Sequence, residues 1–130
     1  MRRGRRDLDV SQPRSLWGLD LSLCLQRLLK FRAERDWEQF HRPKELAAAL
    51  AIEAGELQEL FLWRDPETSQ EVLRGDPARV QAVWEETADV LIYLLLLAHE
   101  LGINLEDAVF NKIAVNEIRF PVNREQKDAG

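Results

Sequence analysis

The sequence predicts an all-α fold, a four-helix bundle assembled as a homo-oligomer. Apolar residues recur at spacings of three and four in four separate stretches, the period of an amphipathic helix. Residues that start or stop helices, namely Pro43, Pro77, Gly102 and Asn104, fall at the ends of those stretches. No segment alternates with the period of two that a half-buried strand requires. A length of 130 residues, 45% of them hydrophobic and 32% charged, fits one globular domain with a modest core.

The elements follow in order. Residues 1–18 are basic, contain Pro13 and lack periodicity, and they are expected to form a disordered tail. Residues 19–122 form the helical domain, and residues 123–130 a flexible C-terminal tail. The first helix starts at about Asp20, carries Leu21, Leu25, Leu28, Leu29 and Phe31, and ends near Arg35. Cys24 is expected to be a buried apolar residue of that helix. Asp36 to Arg42 is aromatic and irregular. Pro43, a residue favoured in the first turn, opens a second helix that carries Leu46, Leu50, Leu57, Leu60 and Phe61 to about Trp63. Arg64 to Asp76 reads as a loop. The third helix runs from Pro77 to Leu101 and stops at Gly102. Asn104 caps the fourth, with Asp107 placed for a capping-box-like start, and Pro121 marks its end. Trp17 and Trp84 are assigned to packing.

Several function classes are excluded by bulk properties. A formal net charge of −5 opposes binding to a nucleic-acid backbone, which needs a concentrated basic face. A single cysteine suits a reducing compartment. The basic start is followed by Asp7, Asp9 and Asp20 rather than by an apolar segment, so no secretory signal is expected. The longest apolar run, Val90 to Ala98, is far short of the ~20 residues of a membrane span. The expected location is the cytoplasm. That run, VLIYLLLLA, is apolar around the whole helix, whereas one apolar stripe suffices in a monomeric bundle. A second copy of the chain is therefore expected to cover its remaining face.

The residues that carry chemistry are acidic. Glu53 and Glu56 on the second helix, and Glu86 and Asp89 on the third, are each spaced by three and so share a helix face. Glu53 lies on the line Leu46, Leu50, Glu53, Leu57, Leu60. Glu86 and Asp89 continue through Tyr93 and Leu96. The acids thus face inward, and antiparallel packing of the two helices brings them together. A single such pair is usually solvated, but two on core lines of consecutive helices repel unless protons or cations intervene. Clustered carboxylate oxygens are hard ligands suited to Mg²⁺, with Mn²⁺ as a substitute. Magnesium is commonly shared between carboxylates and substrate phosphates, so a phosphate-bearing substrate is expected. Glu59 and Glu85 are assigned to the solvated face. A di-iron site is disfavoured, because it needs two Glu-x-x-His pairs and only Glu38 and His41 offer that spacing.

Four blocks resemble, in order, the motifs of the MazG-like nucleoside triphosphate pyrophosphohydrolases, above all the dCTP pyrophosphatase branch. They are DWEQFHRPKEL (Asp36 to Leu46), IEAGELQELFLW (Ile52 to Trp63), ETADVLIY (Glu86 to Tyr93) and KIAVNEIRFP (Lys112 to Pro121). The resemblance spans about Leu21 to Val122. It implies a helical enzyme, dimeric or tetrameric, that converts a (deoxy)nucleoside triphosphate to the monophosphate and pyrophosphate. It assigns the metal-binding and catalytic roles to Glu53, Glu56, Glu86 and Asp89. It places the base against Trp37 and Trp63, with His41 close by and Tyr93 lining the pocket. The phosphate and sugar would meet Lys112, Asn116 and Arg119, with Lys44 a lesser candidate. Leu62, Glu45 and Phe120 depart from the Gln, Asn and Tyr often found there, and none of these removes a metal ligand. The competing class is a non-catalytic oligomeric helical module that binds a protein or a nucleotide without turnover.

Overall fold

A computed structural model describes residues 20–62 and 75–123. Its regular elements are α1 (Leu21–Glu34), a 3₁₀ turn (Glu38–Phe40), α2 (Pro43–Glu59), α3 (Pro77–Leu101) and α4 (Leu105–Arg119). No strand occurs among the described residues. The expected N-terminal tail with Trp17, the loop up to Arg74, and all of the C-terminal tail except Asn123 lie outside them. The chain divides between Asp36 and Trp37 into two compact units. Asp36 itself sits at φ 55°, a left-handed backbone that few residues other than Gly and Asn or Asp adopt.

In the first unit, the Asp20 carboxylate accepts the Leu23 N–H at 3.0 Å and caps α1. Leu25, Leu28 and Leu29 are half-buried, as their spacing predicts. The most buried side chain is nevertheless Arg32, 5% exposed, while Phe31 is exposed. Its burial reaches the charged head, since the guanidinium Nε and Nη1 are both enclosed. Phe31 is instead covered by the Arg35 guanidinium, 3.7 Å from the ring centre. Cys24 is exposed, contrary to expectation, because it lies one residue off the line through Leu25, Leu28 and Arg32.

The second unit is organised by α2 and α3, which form its main helix–helix contact. Pro43 lies in the first turn of α2, where its missing N–H costs nothing. Along α2, Leu46 is 1% exposed, and Leu50, Glu53, Leu57 and Leu60 are all half-buried. The predicted inward line is therefore the observed one. The helix stops at Glu59, earlier than Trp63. Its last turn has no basic residue to stabilise the C-terminal carbonyls, and the chain tightens into i→i+3 bonds at Leu60 and Phe61.

α3 begins with the Asp76 carboxylate accepting the Arg79 N–H at 3.2 Å. It ends at Gly102, whose φ of 65° lets the Ile103 N–H return to the Ala98 carbonyl at 2.8 Å. Asn104 then caps α4 through the Asp107 N–H at 3.1 Å. In the apolar run of α3, Leu95, Leu96 and Ala98 are buried, Leu94 is exposed and the other five residues are half-buried. Trp84, assigned to packing from the sequence, is 73% exposed and shares its line with exposed Gln81, Glu85 and Ala88.

Apolar side chains are exposed more fully on α4. α4 leaves α3 at 98° and is exposed along nearly its whole length, only Leu105 and Asn116 being half-buried. Phe110 is 63% and Ile118 84% exposed. No single helix among the described residues is long and apolar enough to cross a membrane.

Candidate metal centre

Glu53, Glu86 and Asp89 converge. Each presents a carboxylate oxygen, and the three oxygens lie within 4.8 Å of one another. All three side chains are half-buried. The cause is local: each acid occupies a helical position on the line that packs α2 against α3, where an apolar residue would otherwise stand. Glu56, the fourth predicted ligand, is exposed and outside the trio, although its carboxyl interacts with that of Glu53.

The electrostatics record the crowding. The Glu53 pKa is raised, most of all because a proton on Glu53 would bond to Glu86, then by burial, with the charges of Glu86 and Asp89 adding to the effect. Bonding to Glu56 acts the other way. Glu56 is raised too, first by its hydrogen bonding with Glu53 and then by that residue's charge. The Oε2 atoms of Glu53 and Glu86 are buried with no hydrogen-bond partner. Buried carboxylate oxygens without donors are costly, and a small divalent cation satisfies them in place of protons. The donor set is all oxygen, which fits a hard ion of the Mg²⁺ class.

The other predicted site residues are distributed as follows. Trp37 is exposed and His41 half-buried. The 3₁₀ turn between them sets their rings edge to face, 6.4 Å apart at 68°. A pocket of about 340 Å³ next to them in sequence is lined by Gln39, Phe40, Arg42 and Glu45. Tyr93 is half-buried, one turn beyond Asp89 on α3, and Lys44 is exposed on the first turn of α2. Trp63 lies outside the described residues. Lys112, Asn116 and Arg119 follow one line on α4, with Lys112 and Arg119 exposed. Arg119 lies 5.2 Å from the centre of the Phe120 ring.

One residue was not singled out from sequence. The Arg79 guanidinium on α3 donates to the Leu60 carbonyl at the end of α2, and it lies 3.6 Å from the Asp76 carboxylate. A side chain that reaches a backbone carbonyl 19 residues away leaves no periodic trace in the sequence.

Fold and site together define an all-helical protein whose central helix pair carries a carboxylate cluster suited to a divalent cation. Residues 48–129, which include all four acids, match the MazG-like family. The chain is 44% identical over 100 residues to mouse (Mus musculus) dCTP pyrophosphatase 1, covering 77% of this chain and 58% of the relative. It is 45% identical over 95 residues to the human (Homo sapiens) protein of the same name, covering 72% of this chain and 55% of the relative. The chain thus spans little more than half the length of these curated relatives. A solved structure, a pyrophosphatase from Archaeoglobus fulgidus, superposes with a TM-score of 0.70 at 41% identity, covering 78% of this chain and 93% of that one. This chain belongs to the MazG-like family.

Proposed function

We infer that the protein is a Mg²⁺-dependent nucleotide pyrophosphohydrolase. It converts a (deoxy)nucleoside triphosphate, dCTP or a related or modified dNTP, to the monophosphate and pyrophosphate. The observation that carries this reading is the convergence of Glu53, Glu86 and Asp89 with two buried oxygens that lack donors. The relatives named dCTP pyrophosphatase support the substrate class, and the archaeal pyrophosphatase supports the release of pyrophosphate.

The products define the bond broken. Only hydrolysis between the α and β phosphorus atoms yields a monophosphate and pyrophosphate, with water supplying the oxygen. Glu53, Glu86 and Asp89, joined by Glu56, would hold the ion, which when bound polarises phosphoryl oxygens and lowers the pKa of a coordinated water. Trp37, His41, Trp63 and Tyr93 offer flat apolar faces to the base. Lys112, Asn116 and Arg119 supply cationic and amide donors for phosphate and sugar oxygens.

The same reading makes the protein a cytoplasmic homo-oligomer, dimer or tetramer, with no nucleic-acid or membrane partner. The exposed apolar residues of α4 support the assembly, since a patch of that kind is normally covered by a partner. The deciding assay follows pyrophosphate release from the common ribo- and deoxyribonucleotides with Mg²⁺. Release from dCTP or a close relative is expected, and it should be abolished in Glu53→Gln. A protein that liberates pyrophosphate from none of them is not this enzyme. If Mg²⁺ also leaves its melting temperature unmoved, the non-catalytic module is the better description.

A further inference from the structure

The geometry points to Arg79 as a positioning residue that fixes the register of α2 against α3, and with it the meeting of Glu53 and Glu86. The inference rests on the metal reading above. It begins from two cross-helix pairings. One is the Arg79 guanidinium donating to the Leu60 carbonyl, and the other is Glu53 beside Glu86. Moving from the first pairing to the second runs backward along α2 and forward along α3, so the helices are antiparallel. The step is seven residues on each helix, from Leu60 to Glu53 and from Arg79 to Glu86. Seven residues are two helical turns, about 10.5 Å of rise. The two contacts therefore belong to one register. A slip of one residue, about 1.5 Å along the axis and 100° around it, would separate the acids.

The Arg79 contact is built to resist such a slip. The Leu60 carbonyl follows the last turn of α2, at the helix end where carbonyls run short of intrahelical donors. α2 has no basic residue in its own last turn, so Arg79 supplies the missing cation from the neighbouring helix. The guanidinium is held from the other side. The Asp76 carboxylate lies 3.6 Å from its Nε while also accepting the Arg79 backbone N–H at 3.2 Å. Arg79 is thus tied at its backbone, at the root of its guanidinium and at its tip. The inward line of α2 is otherwise leucine, at Leu46, Leu50 and Leu57, and apolar side chains specify burial better than register.

The test measures Mn²⁺ binding to the metal-free 130-residue chain by electron paramagnetic resonance, without substrate, beside thermal melting. Arg79→Met keeps the apolar stem and removes the donors; its Kd for Mn²⁺ should rise on the order of tenfold, the scale of lost ligand support. Arg79→Lys keeps a cationic donor and should stay within about threefold of wild type. Asp76→Asn keeps the helix cap but removes the charge that orients Arg79, and should weaken binding about threefold. A merely structural role would lower the melting temperature of Arg79→Met and leave the Kd of the folded protein unchanged, which overturns the inference. If Arg79→Met does not fold, Asp76→Asn decides, and an unchanged Kd there overturns it equally. Wild-type protein that takes up no Mn²⁺ sinks the metal reading and this inference together, whereas normal uptake by Arg79→Met sinks this inference alone.

Discussion

The α2–α3 pair and α4 obey the same helical code and reach opposite outcomes. In the pair, the line predicted to face inward is buried or half-buried at every position from Leu46 to Leu60, acids included. In α4, the apolar residues Val109, Phe110, Ile113, Val115 and Ile118 are all exposed, and its polar line stands in solvent apart from Asn116. A helix hairpin satisfies itself. A helix leaving a corner at 98° does not, and its pattern is meaningful only against a surface beyond the pair. In the proposed enzyme, the cation-binding half of the site is built within one hairpin, and the phosphate-binding half rides on an element with little cover of its own.

Core truncation separates the two regions most sharply. Leu46→Ala, at a 1% exposed position, should cost about 2–5 kcal/mol in denaturant unfolding, the range for a buried leucine. Ile118→Asp, at 84% exposure, should leave the unfolding of a monomer within about 0.5 kcal/mol. If α4 is an assembly surface, that same change should lower the mass seen by light scattering. A wild-type oligomer that survives it would place the interface elsewhere.

Activity should divide along the same boundary. Asp89→Asn removes a charged ligand, and at fixed Mg²⁺ pyrophosphate release should fall by about 100-fold, equal to about 2.7 kcal/mol of transition-state stabilisation. Arg119→Ala should raise KM for the nucleotide by about tenfold while the Mg²⁺ concentration giving half-maximal rate stays put. Equal effects of both substitutions on Mg²⁺ dependence would erase the proposed division of labour.

The smallest effect is that of pH on the metal-free protein. Glu53 and Glu56 have raised values when folded, so the folded state holds their protons more tightly than the unfolded chain does. Their contribution to stability is complete below the ordinary value of 4.5 and is lost as pH rises through the elevated folded values. Melting of metal-free wild type against Glu53→Gln across that window should show this loss in the wild type alone. Mg²⁺ should restore stability on the alkaline side, because it takes the place of the protons. Identical pH profiles would remove the crowding from the account.

Much of this was legible in the sequence because caps and periodicity are local. Gly102, Asn104, Pro43 and the inward lines of α2 and α3 needed only residues within a few positions of one another. Cys24, Phe31 and Trp84 were misplaced for a related reason. Periodicity finds a line but not its width, so a residue one step to the side is read with it. Arg32, the most buried position of α1, was invisible because a charged residue is read as facing solvent, whereas here the guanidinium itself is enclosed. Which acids converge was readable from spacing; that Glu56 stands apart from the trio was not, since both members of an i, i+3 pair look equal on a wheel. Arg79 depended on a partner across the hairpin and had no local signature at all.

The bond from Arg79 to the Leu60 carbonyl has a consequence for how the protein tolerates change. It closes the hairpin at its mouth, ahead of the connecting stretch, so the alignment of the two long helices does not have to be transmitted through that stretch. The meeting of the acids is therefore set by a contact between the two helices themselves, two turns away from the cluster.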